Sequence, residues 1–205
     1  MMLDRVTASA QTWDLIWTWA GRVLVINAGV AAANLPLLLA LAVTDRPWHY
    51  PLFFGLLCLG VGPSLAAAFG YLNGASFAGS YRRLFGRALL RWSIVVAGAG
   101  VCAADIVTLH DSKPGALLVP MLGVLAVLLL AAGVLALALL VAAPGTGLRF
   151  ALSATVRHPV PSLLNVLLLV VTAVVANQRP LLGLATLPGC ALIVIWHHGK
   201  AAVTR

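Results

Sequence analysis

Six long apolar stretches, separated by short polar breaks, dominate the pattern of this chain. They cover residues 21–43, 52–73, 91–109, 117–143, 160–177 and 181–196. The charge-free run 23–43 has 21 residues and the run 117–143 has 27, whereas about 18 are enough for a membrane-span candidate. The pattern predicts an all-α polytopic membrane protein with six transmembrane helices in one domain over 1–205.

The breaks contain turn-forming residues. "TDRPWHYP" (44–51) and "HDSKPG" (110–115) are polar and contain proline, and "NQRP" (177–180) is shorter. The first apolar stretch begins after some twenty residues and is too long for the core of a signal peptide, so it is expected to remain as the first span. The last stretch has about 16 residues and includes Pro188, which predicts either a tilted or kinked span or a partly re-entrant segment.

A second pattern occurs in three segments, 1–20, 77–91 and 148–157, where apolar residues recur at helical spacing opposite a polar face. In the middle segment, Arg83, Arg87 and Arg91 follow one another at every fourth position. These segments are predicted to be interfacial amphipathic helices. Each precedes a two-span hairpin, which is compatible with a threefold internal repeat, but the low residue identity between the units leaves that repeat open.

Charge predicts the orientation of the chain. It has 13 Lys and Arg against 5 Asp and Glu, a net charge of +8, which in a soluble protein would suggest nucleic acid. Here ten basic residues lie on the side of both termini and three on the other, a positive-inside bias. Both termini are therefore predicted to be cytoplasmic in a bacterial inner membrane, and nucleic acid is not an expected partner.

The densest basic group on that side is expected to contact a surface. It consists of Arg82, Arg83, Arg87 and Arg91. Two partners remain open, the anionic lipids of the cytoplasmic leaflet or an acidic face of a cytoplasmic protein.

A stripe of small residues precedes these arginines and predicts close helix packing. Its members lie at every fourth position: Gly62, Ala66, Gly70, Gly74 and Ala78. Small side chains let two helices approach in lipid, where packing drives association. Two interpretations of the stripe are open: it packs against another helix of this chain, or it forms a seam for a partner or a second copy.

Two asparagines stand inside the first apolar stretch. Asn27 and Asn34 share one helical face, and Pro36 follows directly. Polar groups in hydrocarbon need partners, so this face is expected to point into the bundle. Interhelical hydrogen bonding and contact with a substrate are the two interpretations.

The sequence contains no recognisable catalytic, cofactor or metal motif. Cys58, Cys102 and Cys190 are far apart in apolar runs, and His158, His197 and His198 have no acidic or cysteine companions. The run "GAGVCAA" (98–104) is rich in glycine, but its mid-membrane position does not suit a phosphate-binding loop. A non-enzymatic protein without cofactors or metals is expected.

The stretch "GPSLAAAFGYLNG" followed by "SFAGSYRRLFGRALLRW" resembles the YesL-like family of small bacterial membrane proteins. That family has a Gly-Pro-small-Ala-Ala span, an aromatic and basic amphipathic linker and a Trp-led span, matched here by Gly62, Pro63, Tyr81, Arg82 and Trp92. "LRFALSATVRHPVPSLL" (148–164) is similar to its second linker. No activity is established for the family, whose genes commonly neighbour those for carbohydrate ABC importers and glycan-degrading enzymes.

The resemblance implies an accessory or assembly role in carbohydrate uptake, with importer permease or ATPase subunits as partners. A small solute transporter or channel, which is also compatible with a homo-oligomer, is the alternative. The interrupted spans and the two asparagines favour that alternative, whereas the near absence of intramembrane charge disfavours it.

Overall fold

The computed structural model describes residues 2–44, 46, 49–110, 115–157, 159–178 and 180–203. These residues form nine α-helices and no strand. The helices are α1 (Met2–Ala33), α2 (Leu35–Val43), α3 (Pro51–Cys58), α4 (Val61–Leu72), α5 (Phe77–Leu109), α6 (Gly115–Ala142), α7 (Leu148–Arg157), α8 (Pro159–Gln178) and α9 (Pro180–Val203). The prediction of an all-α chain is confirmed.

Four segments of the described residues are long and apolar enough to cross a membrane. They are Ile16–Ala33, Pro51–Leu72, Phe77–Leu109 and Leu117–Ala142. A fifth is added if α7 and the Val160–Thr172 part of α8, which are bent by 103° relative to each other, are taken as one broken span. Four to five candidate spans are thus compatible with a membrane protein, and the count of six stays a prediction.

The structure differs from the prediction in how it joins two amphipathic segments to the spans that follow. Residues 2–20 are continuous in α1 with residues 21–33 of the first predicted span, and 77–90 are continuous in α5 with the third span. Neither junction contains proline or a polar turn, so the helical hydrogen bonds propagate through it. Only at α7 and α8 does a sharp bend separate the amphipathic segment from the helix that follows it.

Helix α4 is the centre of the fold. Every residue from 62 to 70 is buried, and α4 packs against α1, α5, α6 and α9. Its small side chains let these neighbours approach closely. Phe69 fills the space beside them and stacks on Trp196 of α9, with ring centroids 5.9 Å apart.

Helices α2 and α3 form the periphery. No residue of α2 is buried, and Phe54 is the only buried residue of α3. The core therefore surrounds α4 and the adjoining parts of α5 and α6, while α2 and α3 leave much of their apolar surface uncovered.

Candidate functional site

Asn34 lies at the break between α1 and α2, with an exposed side-chain fraction of 7%. Its backbone angles, φ −105° and ψ 16°, depart from the helix. Pro36, two residues later, has no N–H and therefore cannot complete the helical bond to the carbonyl of Ala32. The Asn34 side chain lies inside the helix bundle, which is the inward orientation expected from the sequence.

The Asn34 amide ties this break to α4. Its Nδ2 donates to the carbonyl of Val30 and to Oγ of Ser64, each at 2.8 Å. Ser64 in turn donates to the carbonyl of Val61 at 2.8 Å. Because the two donors of Nδ2 are used in this way, the amide plane is held in one orientation.

A second helix break lies beside the first. Between α3 and α4, the N–H groups of Leu59 and Gly60 donate three residues back, to Leu56 and Leu57 at 3.2 and 3.1 Å, as in a 3₁₀ turn. Pro63 cannot donate to the carbonyl of Leu59.

The two breaks meet at the Asn34 side chain. A Cβ placed on Gly60 would lie 3.6 Å from Asn34 Oδ1. Within the described part of the chain, this buried oxygen has no hydrogen-bond partner. We call Asn34, Leu59, Gly60 and Ser64 the polar junction.

Asn27 has a different partner from Asn34, although the two share a helical face. Its Oδ1 accepts a hydrogen bond from the backbone N–H of Gly189 at 2.6 Å. A Cβ on Gly189 would lie 3.0 Å from this oxygen and from the carbonyl of Val23, so α1 and α9 approach closely at this point. The structure thus places Asn27 at a helix contact and Asn34 at a helix break.

The small-residue stripe is split by the structure. Gly62 packs against Trp92 and Gly70 against Ser80, both in α5 of this chain, and Ala66 is fully buried. Gly74 and Ala78, by contrast, are exposed. Gly74 has φ +94° in the turn after α4, a conformation that suits glycine. This turn ends the helical period, so Gly74 and Ala78 lie outside the part of the stripe that packs within this chain, and a seam for a partner at these two positions stays a prediction.

The four arginines do not form one surface. Arg82, Arg83 and Arg87 are exposed on α5. Arg91 is half-buried and donates to the carbonyls of Ala136, at 3.0 Å, and Thr146, at 2.9 Å. The structure separates Arg91 from the surface group, because its guanidinium is directed at the carbonyl of Ala136 within α6 and at that of Thr146 in the loop after α6.

Helices α2, α3 and α5 enclose an apolar groove of about 880 Å³, which we call the lateral groove. Leu37 and Leu41 of α2 face Phe54 and Gly55 of α3, and the α5 wall includes small residues. These are Gly100, Ala103 and Ala104. Sequence reasoning missed the groove, although three of its wall residues belong to the glycine-rich run 98–104.

Cys58 and Thr108 bring the only sulfur and hydroxyl groups among the described groove-lining residues. The Thr108 hydroxyl bonds to the carbonyl of Asp105 at 3.1 Å. The groove wall is therefore suited to apolar contact and offers no acid and base pair for chemistry.

A further polar contact that the sequence did not predict joins α8 to α9. Nδ1 of His198 and Oδ1 of Asn165 lie 2.8 Å apart, and Asn165 is buried. In a neutral imidazole this contact requires the tautomer with hydrogen on Nδ1. His158 lies outside the described residues, and nowhere in the described chain do three or more His, Cys, Asp or Glu side chains gather as metal ligands.

Comparison with known proteins adds no assignment. No protein-family model, no curated protein sequence and no solved structure matches this chain. The resemblance to the YesL-like family remains a prediction.

Proposed function

We propose that this chain is a non-enzymatic accessory or assembly protein of the bacterial inner membrane, with six spans and cytoplasmic termini. The observation that supports the proposal is the lateral groove. Its occupant is a transmembrane helix of a partner, and the resemblance to the YesL-like family suggests a carbohydrate ABC importer as that partner.

The wall of the groove supports this choice of occupant. Gly55, Gly100, Ala103 and Ala104 present little side-chain volume, and helices in lipid associate where small residues allow close backbone approach. Val107, at the same wall, is 76% exposed. A helix laid into the groove would cover apolar surface that this chain leaves uncovered.

The exposed arginines provide a second contact in this proposal. Arg82, Arg83 and Arg87 lie at the end of α5 that the charge bias assigns to the cytoplasm. There they attract anionic headgroups at about 1 kcal/mol per charge, and they stay within reach of an ATPase subunit bound to the partner permease.

Site-specific photocrosslinking in living cells tests the proposal. A photoreactive residue replaces Ala103 in the groove, and Met121, which is 62% exposed on α6, is replaced as the control. Importer permease subunits, identified by mass spectrometry, should crosslink at position 103 and not at 121. Crosslinks to lipid alone at both positions would contradict an accessory role, and crosslinks to a second copy would assign the groove to a homo-oligomer.

The polar junction favours a second candidate, a small solute transporter. Paired helix breaks near the middle of two spans are the setting in which transporters build their sites. Purified protein in proteoliposomes should then carry a solute, and Asn34→Leu should abolish the flux while Asn27→Leu, which removes a helix contact, should only reduce the amount of folded protein.

A further inference from the structure

The polar junction has more hydrogen-bond acceptors than donors. Pro36 and Pro63 remove the helical donors of the carbonyls of Ala32 and Leu59. Asn34 Oδ1, in a side chain that is more than nine-tenths buried, has no partner in the described structure. Within the described chain, one buried side-chain oxygen thus lacks the donor that buried oxygen usually has, beside two carbonyls whose regular helical donor is a proline.

Rotation of the Asn34 amide by 180° cannot supply the missing donor. Its Nδ2 is engaged by Val30 and Ser64, so a flip of the amide would place oxygen against the carbonyl of Val30. Ser64 Oγ, which is fully buried, uses its hydrogen on Val61 and retains acceptor capacity. The side chains therefore direct oxygen, and not N–H, toward the backbone of Gly60.

The chemistry of these oxygens selects the class of ligand. All are uncharged, and the sequence from residue 46 to residue 104 contains no Asp or Glu. Divalent cations are usually held in proteins with the help of carboxylates. Unwound backbone carbonyls inside a membrane bind Na⁺ in known transporter architectures.

We propose that the polar junction binds a small monovalent cation, with Na⁺ as its natural probe. The ligands come from Asn34 Oδ1, Ser64 Oγ and the carbonyls at the two breaks. A cation at this position joins the first apolar stretch to the second, whichever partner occupies the lateral groove. The proposal therefore stands apart from the accessory role.

Thermal unfolding of the full chain in detergent tests the proposal. A ligand that binds only the folded state raises the unfolding temperature with its concentration. We expect a saturable increase in NaCl that choline chloride at equal ionic strength does not produce. An unfolding temperature that is the same in both salts would overturn the proposal.

Gly60→Ala is the decisive variant. Its new Cβ would lie 3.4 Å from the carbonyl of Leu57 and 3.6 Å from Asn34 Oδ1, both ordinary contacts, so the fold should persist. The methyl group would nevertheless occupy the space beside Asn34 Oδ1. We expect at least a tenfold weaker Na⁺ dependence, and an unchanged dependence would overturn the assignment.

Two asparagine variants complete the test. Asn34→Leu, which removes the side-chain oxygen from the junction, should abolish the Na⁺ dependence, and an unchanged dependence would overturn the assignment. Asn27→Leu is the matched control, because it removes a buried asparagine from the same helix but not from the junction. It should lower the unfolding temperature and keep the Na⁺ dependence, and loss of that dependence would place the cation elsewhere.

Discussion

Trp92 of α5 packs directly over Gly62 of α4. A Cβ on Gly62 would overlap Cβ and Cγ of this tryptophan, atoms that cannot move without the backbone of α5. The indole Nε1 also donates a hydrogen bond of 3.0 Å to the carbonyl of Cys58, the last residue of α3. One glycine thus allows one tryptophan to hold α3, α4 and α5 together.

Gly62→Ala should therefore destabilise the protein by about 1–3 kcal/mol, the usual effect of overpacking. Thermal unfolding in detergent is the measurement. Gly86→Ala is the matched control, since no atom lies within 4 Å of its Cβ position and the site is an exposed helix position. Alanine there should be neutral or stabilising by up to about 1 kcal/mol, and equal losses in both variants would contradict the packing account.

Gly70 and Ser80 form a second close contact between α4 and α5. A Cβ on Gly70 would overlap Oγ and Cβ of Ser80, so Gly70→Ala should lower stability. Adding Ser80→Gly moves the small residue to the other helix and should recover part of the loss. A double-mutant cycle should give a coupling energy of about 0.5–3 kcal/mol; additive effects would show that the two positions do not touch.

Arg91 should contribute to stability, whereas Arg87 should not. Arg91→Gln removes charged donors from the carbonyls of Ala136 and Thr146, which should cost about 1–3 kcal/mol. Arg91→Lys should recover only part of this, because an ammonium does not reproduce the guanidinium fork. Arg87→Gln, at an exposed position, should stay within about 0.5 kcal/mol of wild type.

The exposed arginines should determine contact with anionic lipid. Replacing Arg82, Arg83 and Arg87 by Gln should weaken enrichment of anionic over zwitterionic lipid around the protein, measured by native mass spectrometry. The matching Lys variant should retain it, because a diffuse anionic surface responds to charge. If Lys also abolished the contact, a bidentate carboxylate partner would be the better explanation.

Topology can be measured with single cysteines in a variant without the three native ones. Labels at positions 46, 112 and 178 should be accessible from outside, and those at 85 and 153 from inside. Ser153 is preferred over its neighbour Thr155, which is 1% exposed. Reversal of position 178 alone would mean that the 160–177 stretch does not cross the membrane and would contradict the count of six spans.

Hydrophobic periodicity was enough to predict the helical class, because it is a property of each helix by itself. The charge-free run 117–143 corresponds closely to α6, which ends at Ala142. The small residues at 62, 66 and 70 likewise indicated close packing before any partner helix was known. The same spacing does not apply beyond Leu72, where α4 ends, because a stripe at every fourth position lies on one face only while the helix continues.

The candidate sites depended on contacts between residues distant in sequence. Periodicity assigned Arg91 to the arginine face, but its acceptors lie 45 and 55 residues further along the chain. The lateral groove likewise exists because α2 and α3 pack loosely beside α5, a relationship that no single helix encodes.

The sequence by itself determined that the chain is helical and apolar, and that Asn34 lies on a helical face expected to point inward. Only the tertiary structure decided that Asn34 meets a second helix break, and that its Oδ1 faces Gly60 without a donor among the described residues. The physical reason is that helical periodicity follows from local backbone geometry. Hydrogen-bond partnership depends on where the other helices lie, which long-range packing decides.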